Sequence, residues 1–154
     1  AFNDVNTEAW YVPAVRLVAF NGIMKGTAEG VFAPEEAVSE ASVYNTIYNM
    51  EKNNAANEGK ELPTTGNTEV WYADAVKWAM DNKLVDEFDQ DGPMLRNDVL
   101  TFMTKYAEMK GVDGSKLMIG DENGDLMLDK TLARAQWAQV IYNFMMAPAA
   151  KAAE

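Results

Sequence analysis

Two arginines lie where helices are predicted to begin, a placement that could hold an anion. Arg96 precedes a stripe of apolar residues at helical spacing, and Arg134 stands at the predicted start of the last helix. The first turn of a helix offers unpaired N–H groups and the positive end of the helix dipole. A guanidinium beside that turn can bind a carboxylate through two parallel hydrogen bonds. Both arginines are therefore candidate ligand-binding residues; the alternative is that they are solvated surface residues.

The composition removes most catalytic chemistry. The 154 residues include no cysteine and no histidine, which excludes thiol nucleophiles, disulfides, Cys/His zinc sites and Ser-His-Asp triads. The 24 acidic residues would allow a carboxylate pair. Acids on a negatively charged helical protein ordinarily form a solvated surface. We therefore predict no enzymatic activity and no cofactor.

The charge of the chain limits its partners. A net charge of −11 repels nucleic acid and anionic lipid. The sequence also lacks an apolar run of about 20 residues, the length that spans a bilayer. We predict neither nucleic-acid binding nor membrane insertion. Residues 148–154 have the composition of a linker, which indicates a module of a longer protein.

The elements that position the two arginines form a repeat. Gly26–Val43 aligns without a gap with Gly120–Trp137, and Trp10–Leu17 aligns with Trp71–Trp78. Each full copy predicts a helix starting at the tryptophan, a glycine-containing loop and a second helix. The third copy has no room for a first helix, because only a few residues separate Gly111 from Gly120.

These patterns predict an all-α domain of tandem helix–loop–helix repeats. The predicted boundaries are residues 1–147 for the domain, about 1–53 for repeat one, about 62–110 for repeat two, about 111–147 for the truncated repeat three, and 53–68 for a connecting loop. The second helices are predicted to begin near Ser39, Asn97 and Ala133. The predicted core includes Phe2, Phe32, Ile47 and Leu126, and turns with positive φ are predicted at Gly26, Gly30, Gly120 and Gly124.

Several short motifs occur along the chain in a specific order. Copy one contains Phe2-Asn3-Asp4-Val5, Trp10, Gly22-Ile23, Gly26, Gly30-Val31-Phe32 and Pro34, and copy three ends in Leu132-Ala133-Arg134-Ala135-Gln136. This series resembles the S-layer homology repeat, whose pattern is F-x-D-V, W, G-I, G, D-G-x-F-x-P and I-T-R-A-E. The resemblance covers most of the chain as two and a half copies.

The resemblance implies a fold and a function. The fold would be a pseudo-three-fold helical bundle of tandem repeats. The function would be that of a non-enzymatic module of a secreted protein, anchored at the bacterial cell surface. Its partner would be a cell-wall polysaccharide, commonly a pyruvylated secondary wall polysaccharide, bound in grooves between repeats.

The resemblance also assigns roles to residues. Arg134 and Gln136 match the Thr-Arg-Ala-Glu element in copy three, and Arg96 matches it in copy two. Copy one has Glu40 where the arginine is expected, so its groove is predicted not to bind an anion.

Two tryptophans complete the predicted ligand site. Trp10 and Trp71 are candidates to stack on a sugar ring, and the alternative is that they anchor the first helices in the core.

The departures from the motif support a second hypothesis, a protein-interaction or assembly module whose partner is another protein. The missing helix of copy three would leave apolar surface uncovered, and ten methionines suit an adaptable contact surface.

One further motif resembles the opening of a dockerin or EF-hand calcium loop. It consists of Asp121, Asn123 and Asp125. The sixth position is Leu126 rather than glycine, and the twelfth is Leu132 rather than an acid. We predict a solvated turn here and no metal site.

Overall fold

The computed structural model describes residues 2–88 and 91–151, and these form five α-helices without a β-strand. The helices are α1 (Val12–Phe20), α2 (Glu40–Asn57), α3 (Ala73–Asp81), α4 (Arg96–Lys110) and α5 (Arg134–Met146). The all-α prediction is confirmed. Within the described ranges, no helix has both the length and the apolar character needed to cross a membrane.

The chain divides into two compact units. The first comprises Ala1–Val38 and Pro93–Glu154, and the second comprises Ser39–Gly92. In the first unit α1 packs against α5, and in the second unit α2 packs against α3. Each short first helix is therefore held by a long second helix of its own unit.

The short helices α1 and α3 end in the same way. Asn21 and Asn82 each donate a side-chain hydrogen bond of 2.8 Å to the carbonyl oxygen four residues earlier. The N–H groups of Ile23 and Leu84 then bond to the carbonyl oxygen five residues earlier, both at 2.9 Å. Ile23 and Leu84 are both buried, which fixes the direction of the chain as it leaves each helix.

The long helices begin within one residue of the predicted positions. Ser39 caps α2, its Oγ accepting the N–H of Ser42 at 3.1 Å. Helices α4 and α5 have no side-chain cap of this kind. Their first N–H groups bond instead to loop carbonyls, Arg96 to Lys130 and Arg134 to Glu36, both at 2.8 Å. These bonds satisfy donors that a helix leaves open at its start.

The prediction of a loop from residue 53 is wrong for its first five residues, because α2 continues to Asn57. Ala55 is buried, so the helix gains packing beyond its polar Asn53-Asn54 pair. The helix ends where Gly59 adopts a φ of +72° and Lys60 donates its N–H to Ala55 at 2.8 Å. This is a Schellman ending, which needs a left-handed residue after the helix.

The segment after α5 pairs with the segment after α4. Ala149 forms an antiparallel bridge with Val112. The N–H of Asp113 bonds to Pro148 at 2.9 Å, and the N–H of Ala150 bonds to Gly111 at 2.8 Å. Residues 148–150, predicted as the start of a linker, thus belong to the first unit.

The predicted core is confirmed at two positions. Phe32 and Ile47 are fully buried, whereas Phe2 and Leu126 are only half-buried. The largest fully buried side chain is Trp137 on α5.

The glycine prediction is confirmed for Gly30 and Gly124, which have φ of +71° and +78°. It is wrong for Gly26 and Gly120, whose φ is not positive. These two positions lack room for a side chain. A Cβ would lie 2.3 Å from a loop carbonyl oxygen at Gly26 and 2.8 Å from one at Gly120. Close approach within the loop therefore explains why both aligned positions are glycine.

We expect Gly120→Ala to lower the free energy of unfolding by about 1–3 kcal/mol, because backbone atoms must move to admit the methyl group. The matched control is Gly92→Ala, where a Cβ meets nothing within 4 Å. Thermal melting of both variants checks this. Equal melting temperatures for the two variants would contradict the packing explanation.

Candidate ligand groove

Arg134 ties the start of α5 to the loop of the first repeat. Its Nε donates to the carbonyl oxygen of Phe32 at 2.9 Å, and its Nη2 donates to that of Lys25 at 2.6 Å. The guanidinium also lies over the Phe32 ring, 5.1 Å from its centroid. Arg134 is only 8% exposed, so it is not a solvated surface residue.

Arg96 makes the equivalent contacts with the loop of the third repeat. Its Nε donates to Leu126 at 2.7 Å, and its Nη2 donates to Ile119 at 3.3 Å. In the alignment of the repeats, Leu126 corresponds to Phe32 and Ile119 to Lys25. Arg96 is 4% exposed, so the surface alternative is wrong here as well.

The two arginines differ in their electrostatic surroundings. Burial lowers the pKa of both guanidinium groups. For Arg134 the negative charges of Glu36 and Asp4 act in the opposite direction. For Arg96 burial alone shifts the pKa, and no described residue forms an ion pair with it. Arg96 is thus a buried cation without a carboxylate partner among the described residues.

A cavity of about 350 Å³ in the first unit brings together three of the predicted site residues, Trp10, Arg96 and Gln136. We call it the Trp10 groove. The other lining residues are Leu117, Met118, Ile119, Gly120, Asp121, Met127, Leu132, Gln139, Val140 and Asn143. The lining is mostly apolar with a few polar groups, which is usual for a small-ligand site.

Gln136 links the start of α5 to Arg96. Its Oε1 accepts the N–H of Ala133 at 2.9 Å and a longer bond from Arg96 Nη1 at 3.4 Å. In a capping box, the side chain at the third helix position accepts the N–H of the N-cap residue, and the N-cap side chain accepts an N–H in return. Gln136 makes the first of these bonds, and the alanine at the N-cap cannot make the second.

Two amides that sequence reasoning missed extend the polar wall. Gln139 Nε2 donates to Asn143 Oδ1, and Asn143 Nδ2 donates to the carbonyl oxygen of Leu117, both at 2.9 Å. Their spacing from Gln136 along α5 could have indicated them, because residues three and seven positions apart share a helix face.

The tryptophans are exposed, so the alternative that they anchor the core is wrong. Trp10 is 62% exposed and Trp71 is 60% exposed. Each meets the following tyrosine edge to face, at 5.3 Å for Trp10 and 5.0 Å for Trp71. Trp71 belongs to the second unit, and neither Trp71 nor Arg134 lines the Trp10 groove.

Glu40 lies in the second unit at the start of α2. Its Oε1 accepts the hydroxyl of Tyr44 at 2.6 Å. The prediction that this position cannot hold an anion stays a prediction.

The calcium-like motif forms a hydrogen-bonded turn. Asp121 Oδ1 accepts the N–H groups of Asn123 at 2.8 Å and Asp125 at 3.0 Å. In the part of the chain that the structure describes, no group of three or more acidic side chains could hold a metal ion.

Asp4 holds the loop that Arg134 also holds. Its two carboxylate oxygens accept the N–H groups of Phe32 at 2.8 Å and Ala33 at 2.7 Å. The bond from Phe32 is the largest of the effects that lower the pKa of Asp4, and the charge of Arg134 adds to it. The aspartate of the F-x-D-V motif is therefore a loop anchor.

We expect Arg134→Ala to destabilise the fold by about 2–4 kcal/mol, because two loop carbonyls lose charge-assisted hydrogen bonds. Arg16→Ala is the control, since Arg16 is exposed on α1 and should change the unfolding free energy by less than about 0.5 kcal/mol. Urea denaturation at low protein concentration measures both. Similar small effects would contradict a role for Arg134 in holding the loop.

We expect the contribution of Asp4 to depend on pH. Because its folded-state pKa is lowered, the carboxylate stabilises the fold above the unfolded-state pKa. That contribution is lost as the pH falls below about 4. The melting temperature of wild type should therefore be higher than that of Asp4→Asn near neutral pH, and the difference between the two melting temperatures should shrink in acid. A difference that stays constant from neutral pH to strong acid would contradict this assignment.

Comparison with known families agrees with the motif order. No curated protein matched the chain. Residues 1–43 match the family model of the S-layer homology domain. Such domains anchor proteins to cell-wall polymers and are not catalytic. The predicted resemblance is confirmed for residues 1–43, the part of the chain that is similar to the S-layer homology domain.

Proposed function

We propose that this chain is a non-enzymatic anchoring module of a secreted protein, holding it to a secondary wall polysaccharide of the bacterial cell surface. The observation that carries the proposal is the Trp10 groove, where an exposed indole, a buried guanidinium and side-chain amides line one cavity. The family match to residues 1–43 supports the cell-wall assignment.

Arg96 is the proposed contact for a carboxylate of the glycan. A buried cation without a counter-ion is costly, and a ligand carboxylate would supply one. The bonds from Nη1 and Nη2 are 3.4 and 3.3 Å long, beyond the usual 2.7–3.2 Å, so these donors can turn to a ligand at small cost. The Nε bond of 2.7 Å would keep the side chain in place.

Trp10 is the proposed platform for a sugar ring. Its indole lines the groove, is 62% exposed and meets the ring of Tyr11 edge to face at an interplanar angle of 84°. Gln136, Gln139 and Asn143 supply amides that could exchange hydrogen bonds with sugar hydroxyls. Asp121 and the net charge of −11 oppose an anionic ligand, so the grip on the carboxylate must be local.

The ligand roles predicted for Arg134 and Trp71 stay predictions. For Arg134 we propose mainly a structural role, because Asp4 and Glu36 already offset its charge.

We also propose the pseudo-three-fold arrangement of the repeats. In the first unit, Arg96 of copy two contacts the loop of copy three, and Arg134 of copy three contacts the loop of copy one. The N–H of Met94 bonds to Val38 at 3.1 Å, and the N–H of Val38 bonds to Leu132 at 2.7 Å. These three residues precede the three second helices. These contacts between copies, all within the first unit, support the proposed arrangement.

We expect wild type to sediment with protein-stripped cell walls of its own organism and Trp10→Ala to bind them about 10-fold more weakly, as for a central aromatic contact. The control is Met146→Ala, an exposed apolar residue of the same unit that does not line the Trp10 groove. Walls from which ketal-linked pyruvate has been removed should bind wild type less tightly.

Two outcomes would decide against the proposal. If wild type does not bind the stripped walls, the proposed wall-anchoring function is wrong. Equal binding by wild type and Trp10→Ala removes the groove as its site.

A further inference from the structure

A second cavity of the first unit, about 770 Å³ in volume, lies against the side of α1. We call it the Phe20 groove. Its lining is mainly apolar and includes Phe2, Val5, Pro13, Leu17, Phe20 and Tyr142. Phe20 is 90% exposed, more than any other large hydrophobic side chain of the described residues. An aromatic so exposed beside an apolar groove typically marks a contact surface.

The internal repeat shows that the fold does not need an aromatic at this position. Phe20 is the last residue of α1, and the aligned last residue of α3 is Asp81. Asp81 is exposed and pairs with Lys77 at 2.6 Å, where Lys77 aligns with Arg16. Helix α3 thus ends in a solvated ion pair. At the aligned positions, α1 has the cation Arg16 and, in place of the carboxylate, the exposed ring of Phe20. No described residue forms an ion pair with Arg16.

We propose that the Phe20 groove is a self-association site, occupied by Phe20 of a second copy of this chain. A two-fold symmetric contact requires one patch to present both the protruding group and its receptor. Here the exposed ring and the groove are adjacent on the same unit, and the cavity is large enough for a phenyl group.

Arg16 provides a group in each copy that can contact the Phe20 ring of the other copy. It lies one helical turn before Phe20 and also lines the groove. When two α1 helices meet antiparallel about a two-fold axis, residues one turn apart exchange places, so Arg16 of each copy faces Phe20 of the other. A guanidinium over a ring is attractive, and this pair leaves no carboxylate to be buried.

The charge of the chain sets the conditions for association. Two copies with a net charge of −11 each repel one another. Salt screens that repulsion, while the apolar contact is not weakened by screening. The dimer therefore strengthens as sodium chloride is added, the opposite of a contact held by surface ion pairs.

The test is sedimentation equilibrium of the full chain from micromolar to millimolar concentration, at low and high salt. Wild type is expected to form a reversible dimer. Phe20→Asp, which installs the residue found at the aligned position of α3, is expected to weaken dimerisation at least about 10-fold. Arg16→Ala is expected to weaken it about 2- to 5-fold. The control Trp10→Ala removes an exposed aromatic outside the groove and should leave dimerisation unchanged.

Two results would overturn the proposal. One is a wild type that stays monomeric at every concentration and salt level; such a groove would serve another protein or an apolar small molecule. The other is a dimer that Phe20→Asp leaves intact. At concentrations where wild type is monomeric, circular dichroism and melting should match wild type for Phe20→Asp, because the replaced ring is exposed.

Discussion

Guanidinium groups that reach from helix starts into neighbouring loops hold the first unit together. Helices α4 and α5 each begin with an arginine, and each arginine binds two carbonyl oxygens of a glycine-containing loop. The loops have almost no regular structure, so their carbonyls need donors from elsewhere. Arg96 and Arg134 supply them and bring distant parts of the sequence into contact.

The same interaction separates a structural role from a binding role. Arg134 has carboxylates nearby, the ring of Phe32 beneath it and two short hydrogen bonds, and these offset part of the cost of burying its charge. Arg96 has neither a carboxylate nor an aromatic partner among the described residues, and it lines a cavity. One motif thus produces a loop anchor in one copy and a candidate ligand contact in the other. The difference comes from the surroundings of each side chain.

Among the described residues of the second unit, no arginine links the start of α2 to a loop, and the first N–H groups of this helix find other acceptors. Glu40 replaces the arginine, and the loop of the second repeat is shorter. The N–H of Glu40 bonds to Gly92 at 2.9 Å, and the N–H of Ala41 bonds to a carboxylate oxygen of Asp91 at 3.0 Å. An arginine at this position would have no full-length loop to bind. Backbone and carboxylate oxygens therefore accept the first N–H groups of α2 instead.

The sequence alone determined where the second helices begin and which catalytic chemistry its residue types exclude. Apolar periodicity and internal alignment placed the second helices within one residue, because these signals are local. The end of α2 and the role of Gly26 were missed, since packing and close backbone approach decided them. Only the tertiary structure showed that Arg96 and Arg134 bind loop carbonyls, or that Trp10, Arg96 and Gln136 line one groove. Those contacts join residues far apart in sequence, and their geometry depends on the path of loops whose conformation no local pattern specifies.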